Sequence, residues 1–498
     1  MNVNPITRLD YPDPDVIRVE DTYYMVSTTM HFMPGCEILQ SFDLVHWEHA
    51  TYVYETLDHT DAQQLKSGQN IYGQGMWAAS LRYHEGRFYI CFVANDTRKT
   101  YLYTSEKIDG PWKKQLIEGF YHDGSLLFDE DGRNYIVYGN DEIWITELNE
   151  DLTAPKKDGL HRLLVSDHKN PELGYEGSHI QKINGYYYIF LIHSLRDRWM
   201  RTEACFYSDS LEGEFTGGDV LCDDRGYCGQ GVAQGGIVDT PDGKWYAMLF
   251  QDSGAVGRIP ILLPVTWKDH FPVFGQNGHV PEEIEVHSTR PGYIYQPLVG
   301  SDDFCNGLLP RWQFNHDPDP RYYHLDALQG TYTITTREVC TELTQAVNTL
   351  TQRMSYPSCA AEVTVDASAL KEGDVAGLCA FQGCYAAVGI TKHHGKYEVL
   401  MLDKKEDGIL DMTEGTVVES HQMDFRLEAD FCNMKDEARC YYRVNKGDWL
   451  PIGTVHKLYF KLDHFTGCRF GLFCYAAEET GGSACFRDFK YYDVDEIS

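Results

Sequence analysis

Short runs of Val, Ile, Phe and Tyr alternate with polar positions along most of the chain, and each run stops at Gly, Asp or Asn. Alternation of period two, broken by turn residues every dozen positions or so, predicts strands rather than helices. In the first half one pattern occurs five times: a short apolar strand, a turn, then an aromatic-rich strand. The copies are DPDVIRVEDTYYMVS from Asp13, WAASLRYHEGRFYICFV from Trp77, DGSLLFDEDGRNYIVYG from Asp123, EGSHIQKINGYYYIFLI from Glu176 and QGGIVDTPDGKWYAMLF from Gln234. Their turn residues are Asp21, Gly86, Gly132, Gly185 and Gly243.

Successive copies start 46 to 64 residues apart, about the length of a four-stranded propeller blade. Further strand signals follow at matching places, as in SFDLVHWE (41–48), SEKIDGPW (105–112) and SDSLEGEF (208–215). Five such units bury their faces by closing into a ring, so residues 1–298 are expected to form a five-bladed β-propeller. The pattern ends around Pro291–Pro297. From residue 303 to 498, runs such as YTITT, AAEVTVDA, AAVGIT, YEVLMLD and RFGLFCY predict a two-sheet β-sandwich. The expected fold class is all-β.

Composition narrows the partners. A formal charge of −32 repels nucleic acid and anionic membranes and favours a neutral ligand. No run of about 18 apolar residues and no charged-then-apolar leader is present. The 15 cysteines form no CxxC pairs, and several lie in apolar runs, as buried thiols of a reducing compartment would. A soluble, cytoplasmic protein is expected.

The repeat also suggests chemistry. The innermost strand of every blade lines the central channel, so Asp13, Trp77, Asp123, Glu176 and Gln234 should lie around one axis. Carboxylates brought close together titrate apart, so a neutral acid and an anionic base can coexist. That pair cleaves a glycosidic bond: one group protonates the leaving oxygen and the other activates water. A spacing of roughly 6.5–9.5 Å gives inversion. Trp77 offers a flat wall for a sugar face. The same residues also suit a cation held at the hub or a non-catalytic sugar-binding propeller.

The segments DYPDPDVIRVEDTYYMVSTT, MWAASLRYHEGRFYI, HDGSLLFDEDGRNYIVYG and YEGSHIQKINGYYYIF strongly resemble glycoside hydrolase family 43, which holds β-xylosidases and α-L-arabinofuranosidases. DDFCNGLLPRWQFNHDPDP (302–320), LTQRMSYPSC (350–359) and GDVAGLCAFQ (373–382) resemble the concanavalin A-like jelly roll of its β-xylosidase branch. The resemblance implies Asp13 as general base, Glu176 as general acid, and Asp123 as the acid that orients Glu176 and raises its pKa. It further implies sugar contacts from Trp77, Phe32 and Arg258, and from Phe465 of HFTGCRFG (464–471), a sandwich loop over the propeller mouth. One side of the funnel would then be closed, favouring exo-hydrolysis of xylooligosaccharides from the non-reducing end. The alternative is cleavage of α-L-arabinofuranosides, alone or in addition. A fructan-cleaving propeller is disfavoured, since its WMNDPNG-like opening and RDP segment are missing. No cofactor is implied. Many relatives carry histidine where this chain has Gln234, so a hub Ca²⁺ is less expected here; His179 and His193 are candidate substitutes for the imidazole. The resemblance also implies a homo-oligomer.

Overall fold

The computed structural model of the chain describes residues 2–493. Five four-stranded antiparallel sheets form the blades, each from consecutive stretches of sequence. The first contains Asp15–Val19, Thr22–Val26, Gly35–Ser41 and Glu48–Tyr54. The inner strands of the other four are Met76–His84, Ser125–Phe128, Glu176–Ile183 and Val232–Asp239. These five strands pack side by side around the axis, and the last returns to the first. The ring is tied where it closes by a two-residue ribbon, Asn2–Val3 against Glu283–Ile284.

Each blade gives one face to the blade before it and the other to the blade after it. Blade strands buried on both sides read as continuous apolar runs, as in YYYIFLI. Five apolar layers result. Val26 and Ile38 meet Leu81 and Ile90; Leu102 meets Leu126 and Ile136. Val137 meets Ile180 and Ile189, Phe190 meets Leu249, and Met25 meets Met248 and Leu262 across the closure.

The second half is a sandwich of a nine-stranded and a seven-stranded sheet. Trp312, Val363, Leu378, Val388, Phe425, Leu472 and Phe486 fill the space between them. The larger sheet borrows its edge from the propeller: Phe32–Met33, on an excursion between the second and third strands of the first blade, pairs with Phe314–Asn315. The described residues contain three short 3₁₀ turns, and no helix long and apolar enough to cross a membrane.

Buried charge fastens the two units together. Arg353, from the sandwich strand Leu350–Arg353, lies 2.8 Å from Glu37 of the first blade, with both side chains out of solvent. Its Nε donates to the Asp10 carbonyl at 2.9 Å, and its guanidinium stacks 4.1 Å over Tyr11. Burial disfavours the Glu37 anion, but Arg353 and His49 outweigh it and hold its pKa below the usual range. Removing one partner of such a pair strands the other charge in the interior. Arg353→Met is therefore expected to cost about 3–5 kcal/mol, read as a fall in the denaturation midpoint. Adding Glu37→Gln should restore part of the loss; no recovery would show that packing rather than charge is at stake.

Candidate active site

Each inner strand starts at the same end of the ring, so the residues just ahead of it converge there. Pairing with the second strand becomes regular at Asp15, Ala79, Ser125, His179 and Gly236. Two positions earlier stand Asp13, Trp77, Asp123, Gly177 and Gln234. Glu176 is thus one residue further out than the repeat suggests. It shares its place with Met76 and Ala233, each the first residue of a β-bulge. Because the bulge recurs in the second and fifth blades, the offset comes from the fourth blade's shorter run from regular pairing to its turn. That run is six residues from His179 to Gly185, against seven from Ala79 to Gly86 and from Gly236 to Gly243. Glu176 reaches inward on the longer acidic side chain.

The turn into the strand is left-handed at Asp13 (φ 53°), Asp123 (47°), Gly177 (64°) and Gln234 (62°). Non-glycine residues pay for this conformation with roughly 1–3 kcal/mol each, which the surrounding contacts must supply. At Asp13 they come from Thr28, whose hydroxyl donates to Oδ2 at 2.6 Å, and from Arg258, whose Nη1 donates to Oδ1 at 2.8 Å. Both carboxylate oxygens are thereby oriented. At Asp123 the Gly177 N–H donates to Oδ2 at 3.0 Å. Glu176 Oε2 accepts from the Asn140 amide at 2.6 Å.

His122 Nε2 lies 3.5 Å from Asp123 Oδ2 and 3.6 Å from Glu176 Oε2. Burial opposes charge on this imidazole, but Asp123 and Glu176 outweigh it and hold its pKa up to about 9. Burial pushes Asp123 up to about 6, helped by Glu176 and Asp13 and opposed by His122. Three acids from three blades are therefore partly offset by Arg258 and His122.

Aromatic rings enclose them. The Trp77 ring centre is 5.8 Å from His122 and 5.6 Å from Phe465. Phe465 comes from the sandwich and lies 4.2 Å under the Arg258 guanidinium. Its loop can approach because Gly73 (φ 66°) faces the Leu462 carbonyl so closely that a Cβ there would lie 2.4 Å from the oxygen. Phe32 is placed differently. It is fully buried at the propeller–sandwich junction, with the Arg469 guanidinium 3.5 Å over its ring.

Several donors have no hydrogen-bond partner among the described residues. Arg258 Nε and Nη2 and Trp77 Nε1 are buried without a hydrogen bond, and the Gln234 side chain makes none among the described residues. Buried donors left open call for acceptor oxygens, and the Trp77 indole beside them is a flat apolar surface.

Asp15 stays outside the chemistry. It is buried one turn below, accepting from Leu81 N and Arg82 Nη1 at 2.7 Å each and facing His179 Nδ1 at 3.1 Å. His179 is thereby engaged beneath the site, and His193 is held at 2.8 Å by Asp219. Neither replaces an imidazole at Gln234. His122, Asn140 and Thr28 had no signal in spacing; His122 stands in plain view beside Asp123, but only the fold shows which way it points.

His122, Asp123 and Glu176 bring one ligand atom each within 4.8 Å of one another, close enough for a small cation. Ca²⁺ takes six to eight oxygen ligands. Gln234 offers one amide oxygen, and the cluster offers an imidazole and the two acids needed for chemistry, so these donors do not fit a calcium site.

Residues 3–272 match the model for glycosyl hydrolases family 43, and residues 301–492 match the beta xylosidase C-terminal concanavalin A-like domain. A beta-xylosidase of Formosa agariphila is 26% identical, covering 99% of this chain and 89% of its own length. A non-reducing end alpha-L-arabinofuranosidase of Bacteroides ovatus is 24% identical over 82% of this chain and 79% of its own. A solved structure from Bacteroides eggerthii, described as bifunctional GH43-CE, superposes with a TM-score of 0.93 at 42% identity. It covers all of this chain, which spans 64% of that longer one. With its acids, aromatic walls and both sequence units accounted for, this chain belongs to glycosyl hydrolases family 43.

Proposed function

We propose that this protein is an exo-acting, inverting glycoside hydrolase that releases D-xylose from the non-reducing ends of β-1,4-xylooligosaccharides. The observation that carries the reading is the convergence of Asp13, Asp123 and Glu176 from three blades, beside unpartnered donors and under a sandwich aromatic. Asp13, oriented by Arg258 and Thr28, takes a proton from water as the water oxygen bonds to the anomeric carbon. Glu176 gives a proton to the leaving oxygen as the glycosidic bond breaks. Asp123 orients the Glu176 segment through the Gly177 N–H. Phe465 closes one wall of the site and favours a chain end over a continuing chain. The named relatives support this substrate class, and the Bacteroides ovatus relative also supports arabinofuranoside cleavage as the second reading. All fifteen cysteines are free thiols, which suits a reducing cytoplasm.

The test is hydrolysis of xylobiose and of p-nitrophenyl β-D-xylopyranoside and α-L-arabinofuranoside, with NMR of the nascent sugar. Release of α-xylose from the β-linked substrate is expected. β-Xylose would overturn inversion, and arabinoside turnover alone would move the assignment to the second reading.

The roles of the two acids separate by leaving group. Glu176→Gln should lower kcat on xylobiose by about 10²–10⁴-fold, yet spare a 2,4-dinitrophenyl xyloside, whose leaving group needs no protonation. Asp13→Asn should lower both. Equal losses for Glu176→Gln on the two substrates would remove it from the acid role.

The pH profile tests His122. Asp123 titrates near 6 while the His122 cation resists its protonation. In His122→Asn that resistance is gone, so the Asp123 pKa rises and the acid limb of kcat/KM should move to higher pH. An unmoved limb would show that Asp123 ionisation does not govern activity.

A further inference from the structure

One buried acid beside the site has no part in the reaction above. Glu203 lies on Arg201–Ser208, the third strand of the fourth blade, and its side chain crosses to the fifth. It is wholly buried. Its Oε2 accepts from the Gln234 N–H at 2.7 Å, and its Oε1 has no hydrogen-bond partner among the described residues. Burial pushes its pKa well above the usual carboxylate range, opposed only by that N–H. A carboxyl held so far from water is costly, and apolar Ile192 and Leu221 are its ladder neighbours.

What it touches accounts for its place. Gln234 is a non-glycine residue in the left-handed region, at a bulge where its N–H finds no ladder partner. Without an acceptor that N–H would be stranded in the interior. The Gln234 side chain lies against Gly177, so close that a Cβ there would be 2.8 Å from Cδ and 3.0 Å from Nε2. Gly177 in turn follows Glu176 and donates to Asp123. The amide therefore sits beside the catalytic acids, more than nine-tenths buried and with no protein hydrogen bond among the described residues.

We infer that Glu203 is a positioning residue: by accepting the Gln234 N–H it fixes that left-handed turn and aims the Gln234 amide at a hydroxyl of the terminal sugar. Glu203 itself touches no substrate. The inference rests on the hydrolase reading, and it assigns Gln234 to recognition of the sugar rather than to proton transfer.

A double-mutant cycle on kcat/KM for p-nitrophenyl β-D-xylopyranoside tests it, with a thermal melt of every variant. Glu203→Leu and Gln234→Ala should each lower kcat/KM by roughly tenfold or more. If Glu203 acts through Gln234, the double variant loses no more than the worse single one. Additive losses would overturn the inference. A second pair keeps the test open if Glu203→Leu does not fold. Glu203→Gln preserves an acceptor at the same reach and should stay within about threefold of wild type, whereas Glu203→Asp is one methylene too short and should fall with Gln234→Ala. Retention by the Asp variant with loss in the Gln variant would overturn it, showing that charge rather than reach matters. A wild type that turns over no glycoside sinks the hydrolase reading itself; an active wild type with additive losses sinks only the role of Glu203.

Discussion

The structure turns on the carboxylate of Asp10, at the point where the ring closes. Its Oδ1 accepts from the Arg258 N–H at 2.7 Å and its Oδ2 from the Gly467 N–H at 2.8 Å. One side chain therefore joins the entry to the first blade, the third strand of the fifth and the sandwich loop that carries Phe465. The neighbouring Tyr11 N–H donates to the Arg258 carbonyl at 3.0 Å, which completes the seam. Arg258 is thus fixed at its backbone before its guanidinium meets Asp13 and Phe465. A base presented by the first blade and a wall supplied by the sandwich are held in register by the same few bonds. The acid and its partner arrive separately, on the third and fourth blades.

That arrangement concentrates cost in a small volume. Buried acids need compensation, and the chain supplies it with few cations: Arg258 at Asp13, His122 between Asp123 and Glu176, and Arg82 at Asp15 below. The left-handed turns at Asp13, Asp123 and Gln234 add strain at the same level. Such strain persists where the surrounding structure over-determines it, and here five apolar inter-blade layers do so. The propeller acts as a clamp around a site that would not assemble on any single blade.

The sandwich contributes on the same principle. Its larger sheet runs into the first blade through Phe32–Met33, and Arg353 meets Glu37 behind that contact. Phe465 is consequently an extension of the propeller wall rather than a mobile appendage, and the site is closed on that side by packing. Phe32, buried under Arg469, serves this junction.

The amino-acid pattern alone determined the all-β class and five blades followed by a sandwich, because period-two alternation, turn chemistry and the repeated strand–turn–strand unit are local properties. The family came from the resemblance of whole segments around Asp13, Trp77, Asp123 and Glu176. The pattern also singled out Asp13, Trp77 and Asp123 at one level, since equal positions in a repeat face one axis. Local pattern could not show that Glu176 stands one residue outward of the other acids, because the register that defines the level is set by the partner strand. Nor could it give His122 its place between two carboxylates, the grip of Glu203 on Gln234, or the burial of Phe32. Those depend on contacts between residues far apart in the chain, and distance in space, the quantity that sets hydrogen bonding, burial and the pKa of Asp123, was decided only when the ring closed and the sandwich docked.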